Sequence, residues 1–186
     1  YSNARVSAAR AMELIESGDH FTAITLLRSA LENQEWINSQ LPDSKLVDPS
    51  EATRLLRLLE KLEAMDSSVE VGRLVEAARS AFSDGDWDLA GEFYDRAISI
   101  QDSINLNMPD SSLARWKFVQ ELKNQRRKIE GEELTQRIES ILAAPSPDES
   151  SYERALNLQL HVNEKFPNTH YYNLDRVSQL RERLIT

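Results

Sequence analysis

Three stretches of this 186-residue chain align without a gap, at 30–44, 97–111 and 155–169. Each opens on alanine (Ala30, Ala97, Ala155) and carries glutamine four residues on (Gln34, Gln101, Gln159). A β-branched aliphatic follows at the seventh position (Ile37, Ile104, Val162) and asparagine at the eighth (Asn38, Asn105, Asn163). A large apolar residue stands at the eleventh (Leu41, Met108, Phe166); proline, then Asp or Asn, then Ser or Thr close every copy. Offsets of 0, 7 and 11 share one stripe of an α-helix, so the alanine, the aliphatic and the large apolar residue are expected to face a neighbouring helix. The proline ends the helix by excluding the helical conformation from the residue before it. The Asp-Ser or Asn-Thr pair then offers a side-chain oxygen to cap the next helix. A repeat of this kind predicts a row of helical units, each burying its apolar face against the next.

The rest of the chain agrees with helices. With 5 glycines and 6 prolines, it has few of the turn residues that a sheet protein needs. Apolar periodicity predicts about eight helices and no sheet, at 5–17, 20–41, 50–65, 68–84, 87–107, 111–143, 148–165 and 170–184. The stretch 111–143 reads as one long helix, because it has no proline and only Gly131. Short connections imply antiparallel neighbours.

A second signature precedes the first two copies: Gly18-Asp19-His20-Phe21 before Ala30, and Gly85-Asp86-Trp87 before Ala97. A helix, a Gly-Asp-aromatic turn and a second helix with alanines seven apart resemble a tetratricopeptide repeat. The second repeat carries Gly85, Asp86, Trp87, Ala90, Tyr94 and Ala97, with Ala78 at the small-residue position; the first carries Gly18, Asp19, Ala23 and Ala30, with Ala11 there and its aromatic displaced to Phe21. The third departs, with Ala144-Pro145-Ser146-Pro147-Asp148 as its turn and Gln136 at the small-residue position. Looser packing or another crossing angle is expected there. The proline also falls one heptad later than in the family. The Pro-Asp-Ser ending is similar to that of bacterial envelope members, among them lipoproteins of the outer-membrane barrel-assembly machinery.

The resemblance implies an all-α, tetratricopeptide-like right-handed stack of antiparallel helical hairpins. It would be a single three-unit repeat domain over 5–186, with units about 5–66, 67–129 and 130–186, in a soluble extracytoplasmic part of a bacterial envelope protein. Ser2-Asn3-Ala4 resembles the scar of a cleaved expression tag. Residues 1–4 are therefore set apart from the fold, and an upstream anchor in the natural protein is an open expectation.

A net charge of −9 argues against nucleic acid or an anionic membrane as partner. No segment approaches a membrane span. The chain has no cysteine, and His20, His161 and His170 lie in separate repeats without metal-ligand spacing. No Gly-rich phosphate loop or nucleophile elbow occurs. The expectation is a protein that is not an enzyme, holds no cofactor or metal and binds a protein or peptide.

In the tetratricopeptide family the groove is lined by the first helix of each pair. The resemblance places Met12 and Glu16 there from the first repeat, Val75, Arg79 and Phe82 from the second and Arg137 from the third. Arg79 and Arg137 share one repeat position, suited either to acidic groups of a ligand or to ion pairs within the chain. The repeated Gln34/Asn38, Gln101/Asn105 and Gln159/Asn163 are expected to bond the loop after the proline; the rival reading is a polar ladder for an extended peptide. The basic run Lys123, Arg126, Arg127 and Lys128 reads as a solvated helix face. Trp36 would mark an interface if exposed. The alternative to a binding module is a structural or self-associating segment of a larger, membrane-anchored bacterial protein. Its contact would be the last helix, where Tyr171, Tyr172, Leu174, Val177, Leu180, Leu184 and Ile185 exceed what one packed face needs.

Overall fold

The computed structural model describes residues 3–185. Among them the chain forms seven helices, packed in sequence as antiparallel neighbours, and no strand: α1 (Asn3–Ser17), α2 (His20–Gln40), α3 (Pro49–Ser83), α4 (Trp87–Asn107), α5 (Trp116–Leu142), α6 (Glu149–Lys165) and α7 (Leu174–Ile185). Seven replaces the expected eight because α3 runs unbroken through 66–68. Asp66-Ser67-Ser68 reads as a helix start, but with no Pro or Gly beside it nothing interrupts the hydrogen-bond ladder. At the N-terminus α1 begins at Asn3 and Ala4 is fully buried, whereas Tyr1 and Ser2 lie outside the described residues.

Contacts divide the chain into two compact units. One holds the residues up to Glu70 with Ser103–Ala114, the other Val71–Asp102 with the residues from Arg115 on. In the first, Ala4, Ala8 and Ala11 of α1 pack with Ala23, Leu27 and Ala30 of α2 and with Leu55, Leu59 and Leu62 of α3. Alanines at these spacings leave no side chain to hold the helices apart. The second unit has two cores. Val71, Leu74, Val75 and Ala78 of α3 meet Ala90, Tyr94 and Ala97 of α4 and Leu122 and Ile129 of α5. Ile138 of α5 meets Ala155 and Val162 of α6, Phe166 and Tyr171 of the following loop and Leu180 of α7.

Two turns follow one geometry. After α1, the Asp19 N–H donates to Leu14 O and the Gly18 N–H to Ile15 O; after α3, the Asp86 N–H donates to Ala81 O and the Gly85 N–H to Phe82 O. These crossed bonds satisfy the last carbonyls of the helix and need a left-handed residue, supplied by Gly18 (φ 85°) and Gly85 (φ 79°). Asp19 and Asp86 then cap the next helix, accepting from the Thr22 and Leu89 N–H groups. In the third hairpin Asp148 does the same for Ser151, but seven residues before Ala155, where Asp86 stands eleven before Ala97. Helix α6 is one turn shorter as a result, with 17 residues against 21 in α2 and α4.

The repeated Pro-Asp/Asn-Ser/Thr segments form three copies of one eight-residue loop, at 41–48, 108–115 and 166–173. Helices α5 and α7 therefore start at Trp116 and Leu174, later than the expected 111 and 170. The hydroxyl after the proline does not cap the next helix. Ser44, Ser111 and Thr169 instead accept from the N–H two residues on, at Leu46, Leu113 and Tyr171, closing a turn inside the loop. Capping falls to the last loop residue: Asp48 accepts from the Glu51 N–H and Asn173 from the Arg176 N–H, while Arg115 has no capping bond. The large apolar residue at the eleventh position is also not a constant core residue. It is the helix-terminating residue, with Leu41 43 % exposed and Phe166 buried.

The first and third loops are held from inside by the amide pair, and the middle one by its glutamine. Gln34 Nε2 donates to Leu46 O (2.9 Å) and Asn38 Oδ1 (3.0 Å), and Asn38 Oδ1 accepts from the Asp48 N–H (2.8 Å). Gln159 Nε2 donates to Tyr171 O (3.1 Å) and Asn163 Oδ1 (2.9 Å), and Asn163 Oδ1 accepts from the Asn173 N–H (2.8 Å). In the middle copy Gln101 Oε1 accepts from the Arg115 guanidinium (2.7 and 3.2 Å). All three glutamines are 1 % exposed or less. Asn105 is fully buried and Asn163 nearly so, with Asn38 half-buried.

Candidate functional site

Val75, Arg79 and Phe82 lie at i, i+4 and i+7 of α3 and share a face. Val75 is buried, Phe82 half-buried and Arg79 exposed. Together with Tyr94 of α4 and Phe118, Leu122 and Ile129 of α5 they wall a cavity of about 410 Å³. Its rim carries Ser83, Glu121, Gln125 and Lys128. The Phe82 ring is set edge-on against Trp87 (centroids 4.8 Å apart, planes at 77°), and the Trp87 indole N–H donates to Gln136 Oε1. The Lys128 ammonium stands 5.6 Å from the Phe82 ring centroid. Arg79, also on the lining, pairs through Nη1 with Glu76 Oε1 at 2.6 Å; both side chains are more than 60 % exposed. An exposed pair of this kind contributes at most about 1 kcal/mol and yields readily to a competing carboxylate. The result is an aromatic and aliphatic floor with two cations at its edge.

The other expected groove residues stand elsewhere. Arg137 is exposed on α5, outside the wall of this cavity, and Met12 and Glu16 are exposed on α1 in the first unit. Trp36 is 58 % exposed on α2. Of the cavity residues not expected in a groove, Tyr94 belongs to the Gly-Asp-aromatic signature, and Phe118, Leu122 and Ile129 carry a signal of their own: α5 places apolar side chains at i, i+4 and i+11. The basic run on α5 is exposed at Lys123, Arg127 and Lys128 and half-buried at Arg126, and three of the four are engaged. Lys123 pairs with Asp102 (3.2 Å), Arg126 with Asp95 (3.0 Å), and Arg127 Nη2 donates to Lys165 O (2.6 Å).

A second cavity, of about 400 Å³, lies where the third repeated loop meets α5. Its walls are Phe166, Pro167, Asn168 and Tyr171 from the loop and Asn124, Arg127 and Lys128 from α5, with Thr169 and His170 at the edge. The Arg127 guanidinium stands 5.5 Å from the Phe166 ring centroid. The Tyr171 hydroxyl is within hydrogen-bond reach of Lys128 O (3.1 Å) and Glu132 Oε1 (3.0 Å). Burial, helped by the neighbouring Glu132 carboxylate, pushes this phenol well above the usual tyrosine range, so it stays protonated and a donor. His170 packs on the Tyr171 ring and lies 3.6 Å from Glu132. Among the described residues no group of three or more His, Asp or Glu side chains could hold a metal, and no helix is long and apolar enough to cross a membrane.

Compared with protein-family models, curated proteins and solved structures, the chain has no match. What stands is an all-helical domain of seven sequentially packed helices, without a family assignment.

Proposed function

We propose that this chain is a non-catalytic protein–protein interaction or scaffolding module, a tetratricopeptide-like stack that binds a peptide or protein segment in a helical groove. The observation that carries the reading is the cavity over Val75, Phe82, Tyr94 and Phe118 with Arg79 and Lys128 at its rim. An aromatic-floored cavity of this size takes one large apolar side chain, and guanidinium and ammonium groups beside it select for carboxylates. The Gly-Asp turns, the buried alanine contacts and the threefold loop support the repeat architecture; the Pro-Asp-Ser ending supports a bacterial envelope setting. Panning a random displayed peptide library, followed by fluorescence anisotropy on the enriched sequences, tests the proposal. Enriched peptides should carry an apolar anchor and an acidic residue, and lose at least about tenfold in affinity with Phe82→Ala, a loss of ~1.4 kcal/mol or more. No enrichment, or affinities indifferent to Phe82→Ala and Arg79→Ala, would remove the groove from consideration.

A second reading, self-association, rests on α7. Val177 and Leu180 are buried, while Leu174 and Ile185, on one stripe eleven residues apart, are 56 % and 86 % exposed. Light scattering during size exclusion separates the two: a dimer lost in a Leu174→Asp, Ile185→Asp double variant favours assembly, and a monomer leaves the groove reading alone.

A further inference from the structure

The two cavities of the second unit share one residue, Lys128. It sits on the ridge of α5 between them, with Gln125 opening to the first cavity and Asn124 to the second. Its carbonyl accepts from the Tyr171 hydroxyl in the wall of the second, while its ammonium stands over the Phe82 ring of the first. Among the described residues that ammonium has no carboxylate at ion-pair distance. Lys123 and Arg126, five and two residues before it on the same helix, are both paired. Of the residues lining the two cavities, Arg79, Arg127 and Lys128 are cations and Glu121 is the one carboxylate; Glu76, paired with Arg79, and Glu132, beside His170, stand next to them.

We infer that the ridge is the centre of a two-anchor site for an extended acidic segment: one apolar side chain enters each cavity, and a carboxylate between them meets Lys128. This rests on the groove reading above and specifies its ligand. The cavities open on adjacent faces of one helix, about 10 Å apart around its circumference. An extended chain covers that distance in roughly three residues, so the acidic residue stands midway between anchors three or four positions apart. The third loop is the copy suited to this. Where the other two carry Asp43 and Asp110 after the proline, it carries Asn168, which removes a negative charge from the wall of the second cavity.

The test uses a short fluorescein-labelled peptide, blocked at both ends, with phenylalanine and leucine flanking a central glutamate, beside a glutamine-centred version and versions lacking either anchor. Binding is read by anisotropy on the full chain. The glutamate peptide should bind roughly five- to tenfold tighter than the glutamine one, as expected for a half-exposed charge-assisted contact. Lys128→Gln should erase that difference. Gln125→Trp fills the first cavity and Asn124→Trp the second, both from exposed positions that leave the core untouched; each should weaken the two-anchor peptide at least tenfold. Loss with Gln125→Trp but not Asn124→Trp overturns the two-anchor site and leaves the single groove standing. Indifference to both variants, or no binding, overturns the two together. A glutamate preference that survives Lys128→Gln removes Lys128 from the site.

Discussion

Replacing Gln159 by leucine isolates the interaction that fixes the third loop. The side chain is 1 % exposed, and its Nε2 serves two acceptors, Tyr171 O at 3.1 Å and Asn163 Oδ1 at 2.9 Å. Leucine fills nearly the same space and donates nothing. Asn163 Oδ1 keeps the Asn173 N–H at 2.8 Å, so the loss concentrates on the Tyr171 carbonyl. An unsatisfied buried acceptor costs about 1–3 kcal/mol, which for a chain of this length lowers the midpoint of thermal unfolding by roughly 2–12 °C. Gln120→Leu, at an exposed position of α5, is the control and should stay within about 0.5 kcal/mol of the parent. Gln159→Glu sharpens the test, because a carboxylate would face two acceptors. Its folded pKa must rise above the unfolded value. The variant should therefore be closest to the parent below about pH 4.3, the ordinary glutamate value, where a protonated carboxyl can donate to Tyr171 O, and should weaken as the pH rises from there. Circular dichroism melts at several pH values read both effects. A Gln159→Leu midpoint within 1 °C of the parent, or a Gln159→Glu variant without that pH trend, would refute the reasoning that the amide holds the loop.

Other outcomes follow from single contacts. A methyl group on Gly131 would overlap the Cδ2, Cε2 and Cζ atoms of the Tyr171 ring, so Gly131→Ala should cost about 1–3 kcal/mol in a urea melt; adding Tyr171→Leu, the residue type of the equivalent Leu46 and Leu113, should restore part of it. Gly18→Ala and Gly85→Ala force an L side chain into the left-handed region, and each should cost about 1 kcal/mol by the same measurement. Asp19, Asp48 and Asp148 have carboxyls held below their ordinary range, by hydrogen bonds from Thr22, Ser50 and Ser151 respectively. Depressed values mean that their contribution is present above the ordinary aspartate range and is lost as the pH falls through the folded values. Asp48→Asn should flatten part of that acid limb in melts between pH 5 and about pH 2.

The legible parts of the fold were those fixed by local chemistry. Ala30, Ala97 and Ala155 are all fully buried, as a helical stripe requires, and Gly18 and Gly85 are the two left-handed glycines. The loop after each proline was harder to read. Its hydroxyl resembles a helix cap, and only the bonds from Ser44, Ser111 and Thr169 to an N–H two residues on show that it closes a turn instead. Comparing copies would have corrected two helix starts: the first loop lasts to residue 48, so its equivalents run to 115 and 173. The candidate site was legible on α3 and not on α5. Val75, Arg79 and Phe82 came from the tetratricopeptide resemblance, whereas Phe118, Leu122 and Lys128 belong to a segment that the two-helix hairpin pattern leaves out.

That segment accounts for the long helices. Leu55, Leu59 and Leu62 near the start of α3 join the core built on α1 and α2, while Val71 to Ala81 farther along the same helix join the core with α4. Helix α5 repeats the arrangement: Leu122 and Ile129 pack with α4, and Ile138 packs with α6. Helix α7 supplies Leu180 to the last core, the place that the first halves of α3 and α5 take in the cores before it. The repeating element is thus three helical segments, with the third of each repeat continuous with the first of the next. This also explains why Pro42 and Pro109 are 67 residues apart, well beyond the ~34 of a two-helix tetratricopeptide unit. The first cavity lies where such a third segment, the start of α5, comes against the end of α3. A two-helix hairpin has no counterpart of that segment, so the added helix supplies both Lys128 and half of the apolar floor on which the proposed ligand rests.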